Sequence, residues 1–319
     1  MTVVAASTLH VTKGHGTQND FVLLDDRDGA VDLSAALVRE LADRRAGVGG
    51  DGVIRVIASD RLPEGSAVLA AEPAARWFMD YRNADGSVAQ MCGNGVRVFA
   101  AFLERLGLWD AADGELAVGT RDGVKRVRRV PVPAGIGDDV WYAVDMGPWF
   151  LPGGVAAVAA GVDSEVVVAG IDVARPGLSV DVGNPHVVLA LHDVAELAAA
   201  DLTRAPRVTP VPTDGINVEL VVPLGEELGA DGAVLGRLRM RVHERGVGET
   251  RSCGTGACAA ALAVRTWAGA DAPDVWLVEV PGGTVRVTVR ADGHIELAGP
   301  AVLVATADVD LSALAAAAR

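Results

Sequence analysis

Residues 79–95 read MDYRNADGSVAQMCGNG, and residues 240–256 read MRVHERGVGETRSCGTG. The two stretches have the same length and align without a gap, so that Met79 meets Met240, Cys92 meets Cys253, and Gly93 and Gly95 meet Gly254 and Gly256. After each Cys-Gly-x-Gly the apolar residues take up a helical period. Val96, Phe99, Ala100, Leu103 and Leu106 share one face that stops at Gly107; Ala257, Ala260, Ala261 and Val264 share another that stops at Gly269. The chain thus starts a helix on a cysteine twice.

Two further anchors keep the same order. Asn19–Leu24 (NDFVLL) echoes Asn184–Leu189 (NPHVVL), and Asp51-Gly52-Val53 echoes Asp214-Gly215-Ile216, with almost the same separation each time. Chance similarity does not preserve both order and spacing, so the chain reads as an internal duplication. The β-branched runs Val53–Ile57, Trp141–Asp145, Asn217–Val222, Arg237–Val242 and Thr284–Val289 read as strands. The fold class expected is α+β: two pseudo-symmetric mixed α/β domains, each a curved sheet around a central helix, with the active site in the cleft between them. Pro131, Pro133, Gly135 and Gly137 mark the linker, which gives an N-terminal half of residues 1–140 and a C-terminal half of residues 141–299.

Composition narrows the function. The net charge of −14 repels nucleic acid and anionic lipid, and the short Lys125–Arg129 run suits a solvated strand or turn better than a binding patch. Three cysteines do not make a disulfide framework, which suggests a reducing compartment. No leader pattern or span-length apolar run is visible, so a cytoplasmic location is expected. The six histidines are scattered, so no metal is expected, and Lys13 and Lys125 alone could form a Schiff base with pyridoxal phosphate. The chain is expected to need no cofactor.

A cysteine at a helix start combines two properties. The first N–H groups of a helix carry the positive end of its dipole and bind carboxylates. The same field lowers the pKa of a thiol placed there, typically to ~3.5–7.5. Two such thiols facing one cleft suit inversion of a stereocentre: one takes the α-proton as base, and the other delivers a proton to the opposite face. Cys258 sits one turn past Cys253, aligns with Arg97 rather than with a cysteine, and reads as core.

On these residues the chain resembles the diaminopimelate epimerase family of pyridoxal-independent enzymes. The resemblance rests on Lys13–Phe21 (KGHGTQNDF), Arg82–Ser87 (RNADGS), Met91–Gly95 (MCGNG), Gly183–His186 (GNPH), Gly215–Val218 (GINV), His243–Thr250 (HERGVGET) and Ser252–Gly256 (SCGTG). It implies a cofactor-free reaction that interconverts LL- and meso-diaminopimelate, with Cys92 and Cys253 as the acid/base pair. The amides of Gly93, Asn94, Gly254 and Thr255 would hold the reacting carboxylate. Asn19, Asn83, Asn184, Asn217, Glu244 and Arg245 would grip the distal end, and His186 with Glu244 would steer the reacting amine or tune the thiols. A last strand near residues 301–304 would return to the first half, with residues 300–319, and the family suggests a homodimer.

The chain departs from the pattern at Asp51-Gly52, where many family members carry a glutamine after the aspartate. Residues 59–76 and 224–236 read as surface loops. Asparagines 19 and 83 could also be turn formers, and Glu244-Arg245 a surface ion pair. Three other functions fit parts of the pattern: a proline or hydroxyproline racemase, a dithiol redox protein, and a non-catalytic binding module. The first gives Arg245 and the asparagines nothing to hold, the second lacks a Cys-x-x-Cys, and the third needs no thiols.

Overall fold

The computed structural model describes residues 8–229 and 232–317. Two compact units emerge. One holds the residues up to Pro131, Asp139–Val144 and those from Pro300 on; the other holds Val132–Asp138 and Asp145–Gly299.

The first unit opens with a hairpin of β1 (Thr8–Gly16) and β2 (Asn19–Asp25). Helix α1 (Ala35–Ala42) leads to β3 (Gly52–Ala58), parallel to β2, and α2 (Pro63–Ala71) leads to β4 (Trp77–Asn83), antiparallel to β3. Helix α3 (Gly93–Arg105) carries the chain to β5 (Leu116–Thr120), parallel to β4. Then β6 (Gly123–Val130) and the first half of β7 (Trp141–Pro148) add on antiparallel.

The second unit repeats this order of joins. After α4 (Gly154–Ala160) and β8 (Ser164–Val167), β9 (Arg175–Asp181) pairs antiparallel with β10 (Pro185–Ala190). Helix α5 (Val194–Ala199) and the short β11 (Arg207–Thr209) precede β12 (Asn217–Leu228), parallel to β10. Antiparallel β13 (Val234–Glu244) and the short β14 (Gly248–Thr250) lead into α6 (Gly254–Ala268), and β15 (Val275–Val280) returns parallel to β13. Antiparallel β16 (Gly283–Val289) and β17 (His294–Pro300) close the series. The chain then re-enters the first unit through β18 (Val302–Asp310), antiparallel to β1, and α7 (Leu311–Ala317). From β1 and β9 onward the parallel and antiparallel joins match one for one, so the duplication read in the sequence is a duplication of topology.

Each unit buries most of one helix. Residues Gly93–Leu103 of α3 are all buried, and α3 packs on β1, β2, β3, β4, β6 and β18. With strands ~4.8 Å apart, β18 and β6 would lie on the order of 30 Å apart in a flat sheet, far beyond the reach of one helix. The sheet therefore curls around α3. Helix α6 is likewise surrounded by six strands, β9, β10, β12, β13, β15 and β16. Its small side chains, Ala257 and Ala259–Ala261 among them, let the strands approach from every side. The outer sheet faces are covered as well. Val38 and Leu41 of α1 join Val22, Leu24, Val53 and Leu314, while Leu197 of α5 joins Val187, Leu189, Val218, Leu220 and Val222. Each fully buried Leu or Val contributes roughly 1.5–3 kcal/mol.

Two segments expected to be loops are regular. Residues 59–76 contain α2, with a one-turn Ser59–Arg61 helix before it, and the Ser59 hydroxyl donates to the Ala75 carbonyl at 2.6 Å. Within 224–236, β12 and β13 run on as a ladder from Gly225↔Arg237 to Leu228↔Val234. This ladder is mostly exposed, so no alternation of buried and exposed positions marked it in the sequence.

Candidate active site

In the first unit Cys92 is the N-cap of α3, with extended backbone (φ −145°, ψ 120°), and its sulfur accepts the Gly95 amide at 3.4 Å. Gly93 and Asn94 therefore occupy the first two helical positions, where amides have no partner within the helix. Asn19 reaches the same place from the start of β2. The hairpin loop before it is only two residues long, with Thr17 and Gln18 both left-handed (φ 49° and 64°), as a type I′ turn requires. Asn19 Oδ1 accepts from Cys92 Sγ at 3.4 Å and from Asn94 Nδ2 at 3.3 Å, while Asn19 Nδ2 donates to Asp51 at 2.7 Å. Arg44 bridges Asp51 and Asp20, and Lys13 holds Asp20 from the other side at 2.6 Å. Asn83 ends β4 and is tied into its own turn, its Nδ2 donating to Ser87 Oγ at 3.0 Å.

The second unit has the same plan with other groups. Cys253 caps α6 (φ −115°, ψ 119°) and accepts the Gly256 amide at 3.3 Å; Gly254 and Thr255 take the first two helical positions. Thr255 Oγ1 lies 3.5 Å from the sulfur and accepts from Asn184 Nδ2 at 3.3 Å. Asn184 Oδ1 meets His186 Nε2 at 3.0 Å, and His186 Nδ1 meets Glu219 Oε1 at 2.7 Å. Asn217 donates to the Pro185 carbonyl and accepts the Arg245 backbone amide at 2.9 Å. Arg245 is exposed and donates through Nη1 to the Asp214 carbonyl, whereas Glu244 accepts from the Thr250 hydroxyl. The structure thus gathers Asn19 and Asn94 at Cys92, and Asn184, His186 and Thr255 at Cys253. The Asn217 amide also holds the backbone of Arg245.

One expectation fails at Cys253. A thiol at a helix start was expected to ionise easily, yet this one is held well above the ordinary thiol value. Burial does most of this, and the carboxylates of Glu244 and Glu219 add to it, outweighing the Thr255 hydroxyl and the Gly256 amide.

The model of the diaminopimelate epimerase family matches residues 11–137 and again residues 178–304. The chain belongs to the diaminopimelate epimerase family. Within it, the chain is similar to the diaminopimelate epimerase of Streptomyces coelicolor, at 47% identity over 93% of this chain and 94% of that one. It is likewise 47% identical to the diaminopimelate epimerase of Thermobifida fusca, over 96% of this chain and all of the relative. Solved structures share the fold at low identity. A Bacillus anthracis phenazine biosynthesis protein of the PhzF family matches with a TM-score of 0.62 at 15% identity, covering 95% of this chain and 99% of that one. A probable proline racemase from Agrobacterium radiobacter matches with a TM-score of 0.58 at 16% identity, covering 95% and 93%.

Sequence reasoning missed two members of these networks. Asp51 was noted as an anchor of the repeat and beside the absent glutamine, but not as a site residue, and it orients Asn19. Glu219 was passed over inside an apolar run, although it alternates with Asn217 on β12, and a carboxylate within a buried strand is itself a signal. The departure at Gly52 also has a physical cause. A Cβ there would meet the Arg82 carbonyl at 2.3 Å and Tyr81 Cε2 at 2.6 Å, so no side chain fits between β3 and β4.

Proposed function

We propose that this chain is a diaminopimelate epimerase that interconverts the LL and meso isomers, and that Cys92 and Cys253 are its two acid/base groups. The observation that carries the reading is the pair of cysteine N-caps at equivalent places in the repeat, each sulfur accepting the amide of the third residue after it. In the reaction one sulfur, as thiolate, takes the α-proton while the other, as thiol, protonates the opposite face of the same carbon. The raised pKa of Cys253 supports its starting as the proton donor, with Cys92 as the base. The amides of Gly93, Asn94, Gly254 and Thr255 hold the α-carboxylate as it gains enolate character. Arg245 supplies a fork for the distal carboxylate, and Asn19, Asn83, Asn184, Asn217 and Glu244 hold the amino acid ends. His186 is fully buried behind Asn184, which supports tuning of Cys253 rather than direct contact with substrate. No step needs a cofactor or metal.

The product serves lysine and cell-wall synthesis, and we place the enzyme in the cytoplasm as a homodimer, as the resemblance implies. Among the described residues no helix is long and apolar enough to cross a membrane. The test is incubation of the reduced protein with LL-diaminopimelate in deuterated water, followed by NMR at the α-carbon. Deuterium should enter with formation of the meso isomer, and Cys92→Ala and Cys253→Ala should each abolish epimerisation. A folded, reduced protein without exchange would overturn the reading.

A further inference from the structure

Glu219 is fully buried on β12, on the face opposite the outer cluster of Val218, Leu220 and Val222. One oxygen meets His186 at 2.7 Å, and the other is buried with no hydrogen-bond partner among the described residues. An isolated carboxylate in such a place costs several kcal/mol, and a purely structural role is filled as well by an apolar side chain. The duplication supplies that comparison. At the third helical residue of α3, a Cβ on Gly95 would touch Ile54 Cδ1; at the matching residue of α6, a Cβ on Gly256 would touch Glu219 Oε1. The same seat under the helix is apolar in one unit and carboxylate in the other. The charge that the first unit buries at its own helix start has the opposite sign: Arg97, on Asn94 Oδ1 at 2.9 Å.

From Glu219 a continuous set of polar contacts leads to the sulfur: His186 at 2.7 Å, then Asn184 at 3.0 Å, Thr255 at 3.3 Å and Cys253 at 3.5 Å. We propose that Glu219 is a positioning residue for Cys253, anchoring the His186 ring and, through Asn184 and Thr255, fixing the polar surroundings that make this thiol unlike its twin. The inference deepens the epimerase reading and rests on it for its functional meaning. An ionised carboxylate only accepts, so it keeps a proton on His186 Nδ1 and fixes which way the ring faces. Its charge also favours the neutral thiol, together with that of Glu244. Glu219 on β12 and Glu244 on β13 are the titratable groups whose charge acts on Cys253, and His186 on β10 is linked to it through Asn184 and Thr255.

The experiment is alkylation of each thiol by iodoacetamide at pH 8, with the two cysteine peptides quantified separately by mass spectrometry. In Glu219→Gln the Cys253 rate should rise about tenfold, the equivalent of one pKa unit, while Cys92 stays within twofold. Turnover should fall by a larger factor than KM rises, because Glu219 touches no substrate itself and acts on Cys253 through Asn184 and Thr255, which also hold substrate. An unchanged Cys253 rate, or equal acceleration of both thiols, would overturn the proposal. Should the variant fold poorly, nitrogen-15 histidine NMR of the unaltered protein decides: His186 must show one fixed, hydrogen-bonded ring state, and averaging between tautomers sinks the idea. The alkylation readout needs no substrate, so a protein that failed the epimerase test could still pass this one.

Discussion

Alanine at Gly256 and alanine at Gly95 are the same change at equivalent places, and the structure gives them different outcomes. Both gain up to about 1 kcal/mol of helix propensity. At Gly95 the new methyl lies 3.1 Å from Ile54 Cδ1 and 3.3 Å from Met79 Cε. Both are free ends of flexible apolar chains that can shift by a few tenths of an ångström. The net change should stay within about 1 kcal/mol of zero. At Gly256 the methyl lies 2.8 Å from Glu219 Oε1 and 3.2 Å from Cys253 Sγ. Glu219 cannot withdraw without opening its 2.7 Å contact with His186. Overpacking costs ~1–3 kcal/mol and a weakened charge-assisted hydrogen bond ~1.5–3 kcal/mol, so a net loss of roughly 2–4 kcal/mol remains after the propensity gain. Urea unfolding followed by tryptophan fluorescence measures the totals, and hydrogen exchange in α3 and α6 localises them. Equal stability of the two variants would refute the claim that Glu219 is rigidly held.

Two further outcomes test the charge networks. Burial alone would raise the Asp20 carboxyl, but hydrogen bonds from Arg44 and Lys13 bring it from 3.8 to about 2. Its contribution of about 2 kcal/mol is therefore complete above pH ~4 and is lost as pH falls toward 2. Arg44→Ala should move the acid unfolding midpoint to higher pH, and an unmoved midpoint would show that Lys13 suffices. Asp80 is fully buried between Arg55 at 2.6 Å, Arg121 at 2.7 Å and Arg82 at 2.9 Å, and these hold its carboxyl below the usual range against the effect of burial. Asp80→Ala removes the carboxylate that the three cations share, leaving Arg55 with Asp26 and Arg121 with Glu64, and should cost ~3–5 kcal/mol in a denaturation experiment; a loss below 1 kcal/mol would mean that water, Asp26 or Glu64 replaces the carboxylate.

The parts legible in the sequence were those carried by periodicity and by repetition. The two Cys-Gly-x-Gly starts, the helical faces ending before Gly107 and Gly269, and the strands around Val53, Trp141, Asn217, Arg237 and Thr284 all left local signals. The outer helices did not. Helix α5 is six residues long with Leu197 as its one buried residue, too short to show a period, and α2 buries little besides Gly65. The hairpin extension at 224–236 has its hydrogen bonds but no buried face, so its alternation carried no message. At the site, residue types were readable and their orientations were not. Nothing in the sequence said that the Asn83 amide turns to Ser87, or that Asn217 serves Arg245 through its backbone. The sign of the Cys253 shift depended on burial and on two acidic residues brought in from other strands, which spacing along the chain does not encode.

A duplicated fold supplies two equal seats for a thiol, but the two-thiol reaction proposed above, which starts in a defined proton state, needs unequal ones. Here the inequality is not spread over the repeat. The strands pair in the same order and both cysteines cap their helices in the same way. The differences lie in side chains at matched places: Ile54 against Glu219 beneath the helix, Arg97 against Cys258 one turn along it, and Asn83 with Ala84 against Glu244 with Arg245 before it. Changing backbone geometry in one half would have cost the complementarity on which each curled sheet depends. Changing single side chains at the helix start leaves the sheets intact and alters only the field and the hydrogen bonds at the sulfur. Exchanging such residues between the halves is therefore the operation that should exchange the behaviour of the two thiols, with Glu219 the side chain that bears most directly on Cys253.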